Sequence, residues 1–522
     1  MASMRPGGWA ADPSVGAAVG RTRCGSGRLG RSLMGCLLVV LAGLVPMAPP
    51  ARGAAPVSDS RAEFTTALDR RVPSLMAQFG VPGAAVALVS SGEVVWSAAY
   101  GQARLEPSRS MRPDTLFRTE SISKSVTAWG VLRLVEAGRL DLDTPVAGYL
   151  PEDALPELAA TGVTVRQLLT HTAGMPLGTI GARYAPREPR PDLISDLQAE
   201  VRLENAAGES FAYSNVGYNV LELVVEQVSG QDFADYMDSE VLTPLGMDSS
   251  SFGWPEARSD QLAAGHRLDG SAVAPYVYPA RASGGLHATV GDVARFVAAG
   301  TAHHRDSNPV LTAESVDLVH TAAVFDLGIY GAVADGYAFG HFTEQVAGGR
   351  TALWHGGQGT GWMSHFHLVP DSGDGIVILT NSQRAWPLIG AVLQDWSTWS
   401  GAGSVQMARI SDANDAARVA LAILVVGCLT GATWLVVAVV RGTRRFAPLA
   451  PATRPRRLAQ AVAATAVLGA LVWAEAQPYL MVSSLFPSLL GWAAVWLTVA
   501  ALLGLCVAAF PRRQDTGRSS ER

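Results

Sequence analysis

The chain has 522 residues, 48% of them hydrophobic and 16% charged, with a formal net charge of −5. That charge is unevenly spread: residues 54–415 hold 23 Arg/Lys against 41 Asp/Glu, while residues 416–522 hold 11 against 3. So acidic a middle region argues against nucleic-acid binding, which draws on a basic surface. All four cysteines (Cys24, Cys36, Cys428 and Cys506) lie outside it, so it folds on core burial without disulfides.

Residues 1–53 read as a signal peptide. Leu33–Val45 is an apolar core preceded by Arg21, Arg23, Arg28 and Arg31. Ala51-Arg52-Gly53 then places small residues at the spacing that signal peptidase reads. An uncleaved anchor is the other reading.

Residues 54–400 read as one domain. A helix over 61–79 stops at Gly80, and two strands follow, Ala84–Val89 and Glu93–Tyr100, joined by a turn at Ser90–Gly92. Ser121 opens a helical stretch over Val126–Ala137, with Val126, Val131, Leu134 and Val135 on one face and Gly138 at its end. Thr164–Thr170 reads as another helix. Residues 181–210, rich in proline, arginine and acids, read as a surface excursion. Helices over Val216–Val228 and Asp232–Val241 come next, the acids of the second facing solvent. Strands close the domain: Gly336–Gln345, Thr351–His355, Trp362–Val369 and Gly375–Leu379. His365 and His367 alternate along one of them and read as a half-exposed face rather than metal ligands. Strands first, helices between and strands last make an α+β class. The first and last segments share one antiparallel sheet flanked by helices, beside a helical subdomain.

Beyond a linker at 401–418, Val419–Val440, Leu458–Ala474 and Leu489–Phe510 read as transmembrane helices. The first and third are uncharged runs long enough for the ~30 Å hydrocarbon core, and the second is the shortest. The loop 441–457 carries six arginines and no acid, the tail 511–522 carries four arginines, and residues 476–488 carry none. The positive-inside rule puts loop and tail in the cytoplasm and residues 54–415 outside. This agrees with the signal peptide and predicts a multi-pass protein of the cell membrane.

Lys124 is the chain's only lysine; the other basic residues are arginine. Arginine cannot lose its proton at accessible pH, whereas a desolvated lysine can become a base. In Ser121-Ile-Ser-Lys124 the hydroxyl and amine stand one helical turn apart, an arrangement that activates serine without histidine. Two more clusters follow in order, Tyr213-Ser-Asn215 before a helix and His355-Gly-Gly357 at the end of a strand.

Ser-x-x-Lys, Tyr-Ser-Asn and His-Gly-Gly in this order resemble the class C β-lactamase superfamily, which includes D-alanyl-D-alanine carboxypeptidases, esterases and D-amino-acid peptidases. Leu168–Gly174 and Ala282–Asp292 resemble it too, and the likeness covers about residues 60–400. It implies that Ser121 forms an acyl-enzyme and that Lys124 and Tyr213 share the general-base work. Asn215 would bind the substrate or Lys124, and His355 and Gly357 would line the substrate strand. The backbone N–H groups of Ser121 and Gln358 would form the oxyanion hole. No metal or cofactor enters this chemistry. β-Lactam-cleaving relatives usually carry lysine where this chain has His355, so the likeness leans to peptidase or esterase. Glu120 departs from the small residue that usually precedes the nucleophile.

Two functions fit. One is a membrane-tethered extracytoplasmic serine hydrolase acting on a peptide or small-molecule ester. The other is a penicillin-type ligand sensor that signals through a membrane partner, because its own cytoplasmic segments are too short for a signalling domain. A binding module without catalysis would show a broken motif, and none of the three is broken.

Overall fold

Gly83–Ser90 (β1) is apolar on both faces, and the fold covers both. Ala85, Ala87 and Val89 enter one hydrophobic core while Ala84, Val86 and Leu88 enter a second. A strand projects alternate side chains to opposite faces, so such a run belongs between two helical layers. The computed structural model describes residues 60–178, 183–448, 454–476 and 481–513; the leader expected at 1–53 lies outside them.

The further strands are β2 (Glu93–Arg104), β3 (Arg109–Ser110), β4 (Phe117–Arg118), β5 (Ser251–Phe252) and β6 (Leu286–Ala288). Then come β7 (Gly336–Tyr337), β8 (Phe342–Val346), β9 (Arg350–Gln358), β10 (Met363–Val369) and β11 (Asp374–Thr380). Eight of them form an antiparallel sheet in the order β3-β2-β1-β11-β10-β9-β8-β7. The expected union of first and last segments is the β1–β11 ladder, with Val86 opposite Ile378. A small second sheet, β4-β6-β5, carries the chain into the site.

Of the helices, α1 (Arg61–Phe79), α2 (Ile122–Glu136), α3 (Leu193–Glu200), α4 (Asn215–Ser229), α5 (Val290–Ala299) and α6 (Trp386–Trp399) matter here. Helices α1 and α6 cover one face of the large sheet, while α2, α4 and α5 pack in the core on the other. Ser60 caps α1 by accepting from Glu63 N, and Gly80, at φ 67°, ends it in a left-handed turn that glycine adopts freely.

Three long helices follow: α7 (Arg409–Val440), α8 (Arg454–Glu475) and α9 (Leu490–Ala509). All three are long and apolar enough to cross a membrane. The segment expected as a linker, 401–418, is helical from Arg409 onward. Its start is bound to the sheet, where Gln406 N donates to Glu344 Oε2 of β8 at 2.6 Å, and to the segment between α8 and α9, where Asn414 Nδ2 donates to Leu485 O at 2.7 Å. A side chain at Gly390 of α6 would press on Met407 O at 3.1 Å, so glycine there admits the close approach.

Other expectations need correction. The strand expected over Gly336–Gln345 is two strands, because the chain reverses at Ala338–His341 around Gly340, where a side chain would strike Lys124 O. The excursion at 181–210 contains α3, whose Asp196 and Glu200 face the active-site cavity. His365 and His367 are fully buried rather than half exposed, because β10 is a central strand with helices over both faces. His365 stacks on Trp354, His367 packs at a tilt against Trp396, and His367 Nε2 lies 3.5 Å from Glu344.

Candidate active site

The site begins where β4 turns into α2. Thr119 N donates to Leu286 O at 3.0 Å, which ties the turn to β6. Glu120 then adopts a left-handed conformation, φ 51°, which is strained for a residue with a side chain. Ser123 holds this turn by donating to Glu120 O at 2.6 Å and accepting from Leu286 N at 3.0 Å. Ser121 is thereby presented at the start of α2, on the cavity wall.

One turn on, Lys124 is fully buried. Its Nζ lies 2.8 Å from Asn215 Oδ1, 2.8 Å from Ser283 O and 3.1 Å from Ser121 Oγ. Burial pushes its pKa down to about 7, against the raising effect of the Glu120 carboxylate. A neutral amine has two N–H bonds, which the two carbonyl-type oxygens accept. Its lone pair is left for the Ser121 proton.

Tyr213 and Asn215 reach Lys124 from the start of α4. Ser214 caps this helix by accepting from Gly217 N at 3.0 Å, and Asn215 N donates to Leu177 O at 2.9 Å. His171, itself left-handed at φ 58°, accepts from Ser214 N at 3.1 Å and lays its ring 4.3 Å from that of Tyr213. Tyr213 lines the same cavity as Ser121, and its ring centre lies 5.0 Å from Lys124 Nζ. Burial pushes its phenol well above the usual value, so it is neutral.

The end of β9 forms the facing wall. His355 and Gln358 line the cavity; Gly357 does not, and its place explains its identity. A side chain at Gly357 would come within 2.1 Å of Thr119 O, and one at Gly359 within 2.2 Å of the Glu120 carboxyl. These glycines let β9 close on the serine turn. The Gln358 side chain accepts from Trp386 Nε1 at 2.7 Å. Burial and the nearby Lys124 hold the His355 imidazole neutral.

Five of the seven residues expected from the motifs, Ser121, Tyr213, Asn215, His355 and Gln358, line one cavity of about 330 Å³; Lys124 lies buried against Ser121 and Asn215, and Gly357 packs its backbone on the serine turn. The motifs missed several others. Glu120 Oε1 is paired with Arg118 Nε at 3.0 Å, both buried, and accepts from Tyr276; Oε2 accepts from Tyr278. The Arg118 guanidinium lies 4.2 Å and 4.8 Å from the ring centres of these tyrosines. Ser283 is held by Glu222, two turns along α4 from Asn215, which accepts from Ala282 N at 2.7 Å and pairs with Arg281. Glu120 was visible as a departure, and His171 and Ser283 lie in stretches recognised without a role. Nothing in the spacing linked Arg118, Tyr276 and Tyr278.

The fold and the order of its motifs define the class of protein. Residues 68–388 match the family profile described as Beta-lactamase, more than half of the chain, and the chain belongs to that family. Among curated proteins it is similar to esterase EstB of Burkholderia gladioli, at 35% identity over 206 residues, 37% of this chain and 52% of the esterase. It is also similar to protein flp of Staphylococcus aureus strain NCTC 8325 / PS 47, at 28% identity over 37% of this chain and 39% of flp. The chain thus spans about half or less of the curated relatives' length. Among solved structures, the octameric penicillin-binding protein homologue from Pyrococcus abyssi matches with TM-score 0.53 and 28% identity, over 61% of this chain and 73% of that one. SurE matches with TM-score 0.54 and 27% identity, over 65% and 76%. A class C beta-lactamase shares the fold at 21% identity, TM-score 0.51, over 62% and 92%.

Proposed function

We propose that the chain is a membrane-anchored, extracytoplasmic serine hydrolase that works through a Ser121 acyl-enzyme on an ester or peptide. The observation that carries this reading is the buried Lys124 amine, 3.1 Å from Ser121 Oγ with both its N–H acceptors in place. Neutral Lys124 takes the Ser121 proton as Oγ attacks the acyl carbon. Tyr213, held neutral by burial beside Ser121, passes a proton to the leaving alcohol or amine. Water then attacks the ester, its proton returns through the same groups, and the acid leaves. The backbone N–H groups of Ser121 and Gln358 hold the developing oxyanion; losing one such donor typically costs ~10²–10³ in rate.

Three helices long and apolar enough to span, with arginines in the 441–457 loop and the tail, support the anchor and its orientation. His355 in place of lysine, and an esterase among the relatives, favour ester or peptide over β-lactam hydrolysis. The test is to incubate the full chain in nanodiscs with a nitrophenyl ester, a D-alanyl-D-alanine peptide and a fluorescent penicillin. Turnover of the first or second that Ser121→Ala abolishes supports the reading. Rapid penicillin turnover, or a penicillin adduct with neither ester nor peptide hydrolysis, contradicts it.

A further inference from the structure

The cavity that holds Ser121 does not end at the catalytic groups. Ile329, Trp386, Met407, Ile410 and Leu485 line it as well. Ile410 lies in the first turn of α7, Met407 just before it, and Leu485 between α8 and α9. The serine and the foot of the first candidate spanning helix therefore share one cavity, apolar on this side and lined by Asp196 and Glu200 on α3. The surface beside it is also apolar. Ile329, which lines the cavity, is 80% exposed, more than any other large apolar side chain described before α7. Leu177, 43% exposed, lines the same cavity. An apolar patch left open beside an active site marks something it contacts. A short polar substrate would leave these apolar side chains unused.

We propose that the substrate is an amphiphile from the bilayer, with its carbonyl at Ser121 and its apolar chain running along this cavity toward the foot of α7. The proposal deepens the hydrolase reading above and rests on it. The bonds made and broken are those of ester or amide hydrolysis: Ser121 Oγ displaces the alcohol or amine, and water then releases the carboxylic acid. Ile329 would sit at the interface, while Met407, Ile410 and Leu485 would receive the chain as it leaves the membrane.

The test uses the full chain in nanodiscs and two homologous series kept below their micelle-forming concentrations. One is nitrophenyl esters from acetyl to dodecanoyl, and the other is alkyl acetates of matching length. Each methylene that enters an apolar site contributes up to about fourfold in kcat/KM. At least one series should therefore rise by about tenfold or more between four and eight carbons. Ile410→Asn and Ile329→Asn should each lower that eight-to-four ratio. A ratio within one preparation does not depend on how much of the variant folds. A flat or falling profile in both series, with Ser121-dependent acetyl hydrolysis intact, overturns the amphiphile and leaves the hydrolase standing. A rising profile that both variants keep unchanged overturns the cavity as its cause. Folded protein in which Ser121 takes up no fluorophosphonate overturns both readings.

Discussion

The Lys124 amine donates to Asn215 Oδ1 at 2.8 Å, which joins the helix carrying the serine to the helix that begins with Tyr-Ser-Asn. The amide matters because it accepts without adding charge. Asn215→Asp keeps the shape but places a carboxylate beside the amine, which favours the ammonium. Lys124, lowered by burial to about 7, should then titrate higher. The acidic limb of kcat/KM against pH should move up by about a unit or more, with a matching loss at pH 7. An unmoved limb would show that another group sets it.

Lys124→Arg retains a positive charge but cannot release a proton in the working range. Acylation should fall by about 10³-fold or more. The site is fully buried, so the larger head group should also cost about 1–3 kcal/mol of stability. Both effects can be read on one preparation, by labelling rate and by thermal melting. Acylation within tenfold of the native rate would remove Lys124 from the proposed mechanism.

Glu344 supplies a stability signal separate from catalysis. Burial pushes its carboxyl up to about 8 from an ordinary 4.5, although the Gln406 N–H pulls the other way. Between those values the folded state keeps a proton that the unfolded chain releases. The folded state therefore binds more protons, and its stability falls as pH rises from about 4.5 to about 8. Glu344→Gln should flatten that part of the Tm–pH curve and raise Tm near pH 8. A variant with the native slope would mean that the carboxyl is not held neutral.

Orientation can be tested with single cysteines, because residues 54–415 contain none. A cysteine at Ser404 or Ser483 should react with an impermeant maleimide in intact cells. One at Thr443 should react only after lysis. Labelling of Thr443→Cys in intact cells would reverse the topology drawn from the arginines.

Much of the fold was legible because its signals are local. The strands expected at Ala84–Val89 and Glu93–Tyr100 and the helix ends at Gly80 and Gly138 each depend on neighbouring residues. The motif residues were legible because Ser121 and Lys124 share a helical turn, and Tyr213 and Asn215 share a cap. What stayed hidden depends on layers. His365 and His367 alternate like a half-exposed face, and only the Trp354 and Trp396 rings packed against them bury the pair. Arg118 and Tyr276 are 158 positions apart and meet only because β6 brings the 276–284 loop back to β4. The start of α7 looked like linker because its polar residues, Ser411 and Asn414, are buried against neighbours remote in sequence.

The central claim is that Ser121 is acylated with Lys124 as its base. It is tested most directly by intact-protein mass spectrometry after a fluorophosphonate probe, with peptide mapping across a pH series. The account predicts a single adduct on Ser121, forming faster as pH rises through about 7, absent in Ser121→Ala and nearly absent in Lys124→Met. An adduct on another residue, or equal labelling of the Lys124→Met variant, would contradict it.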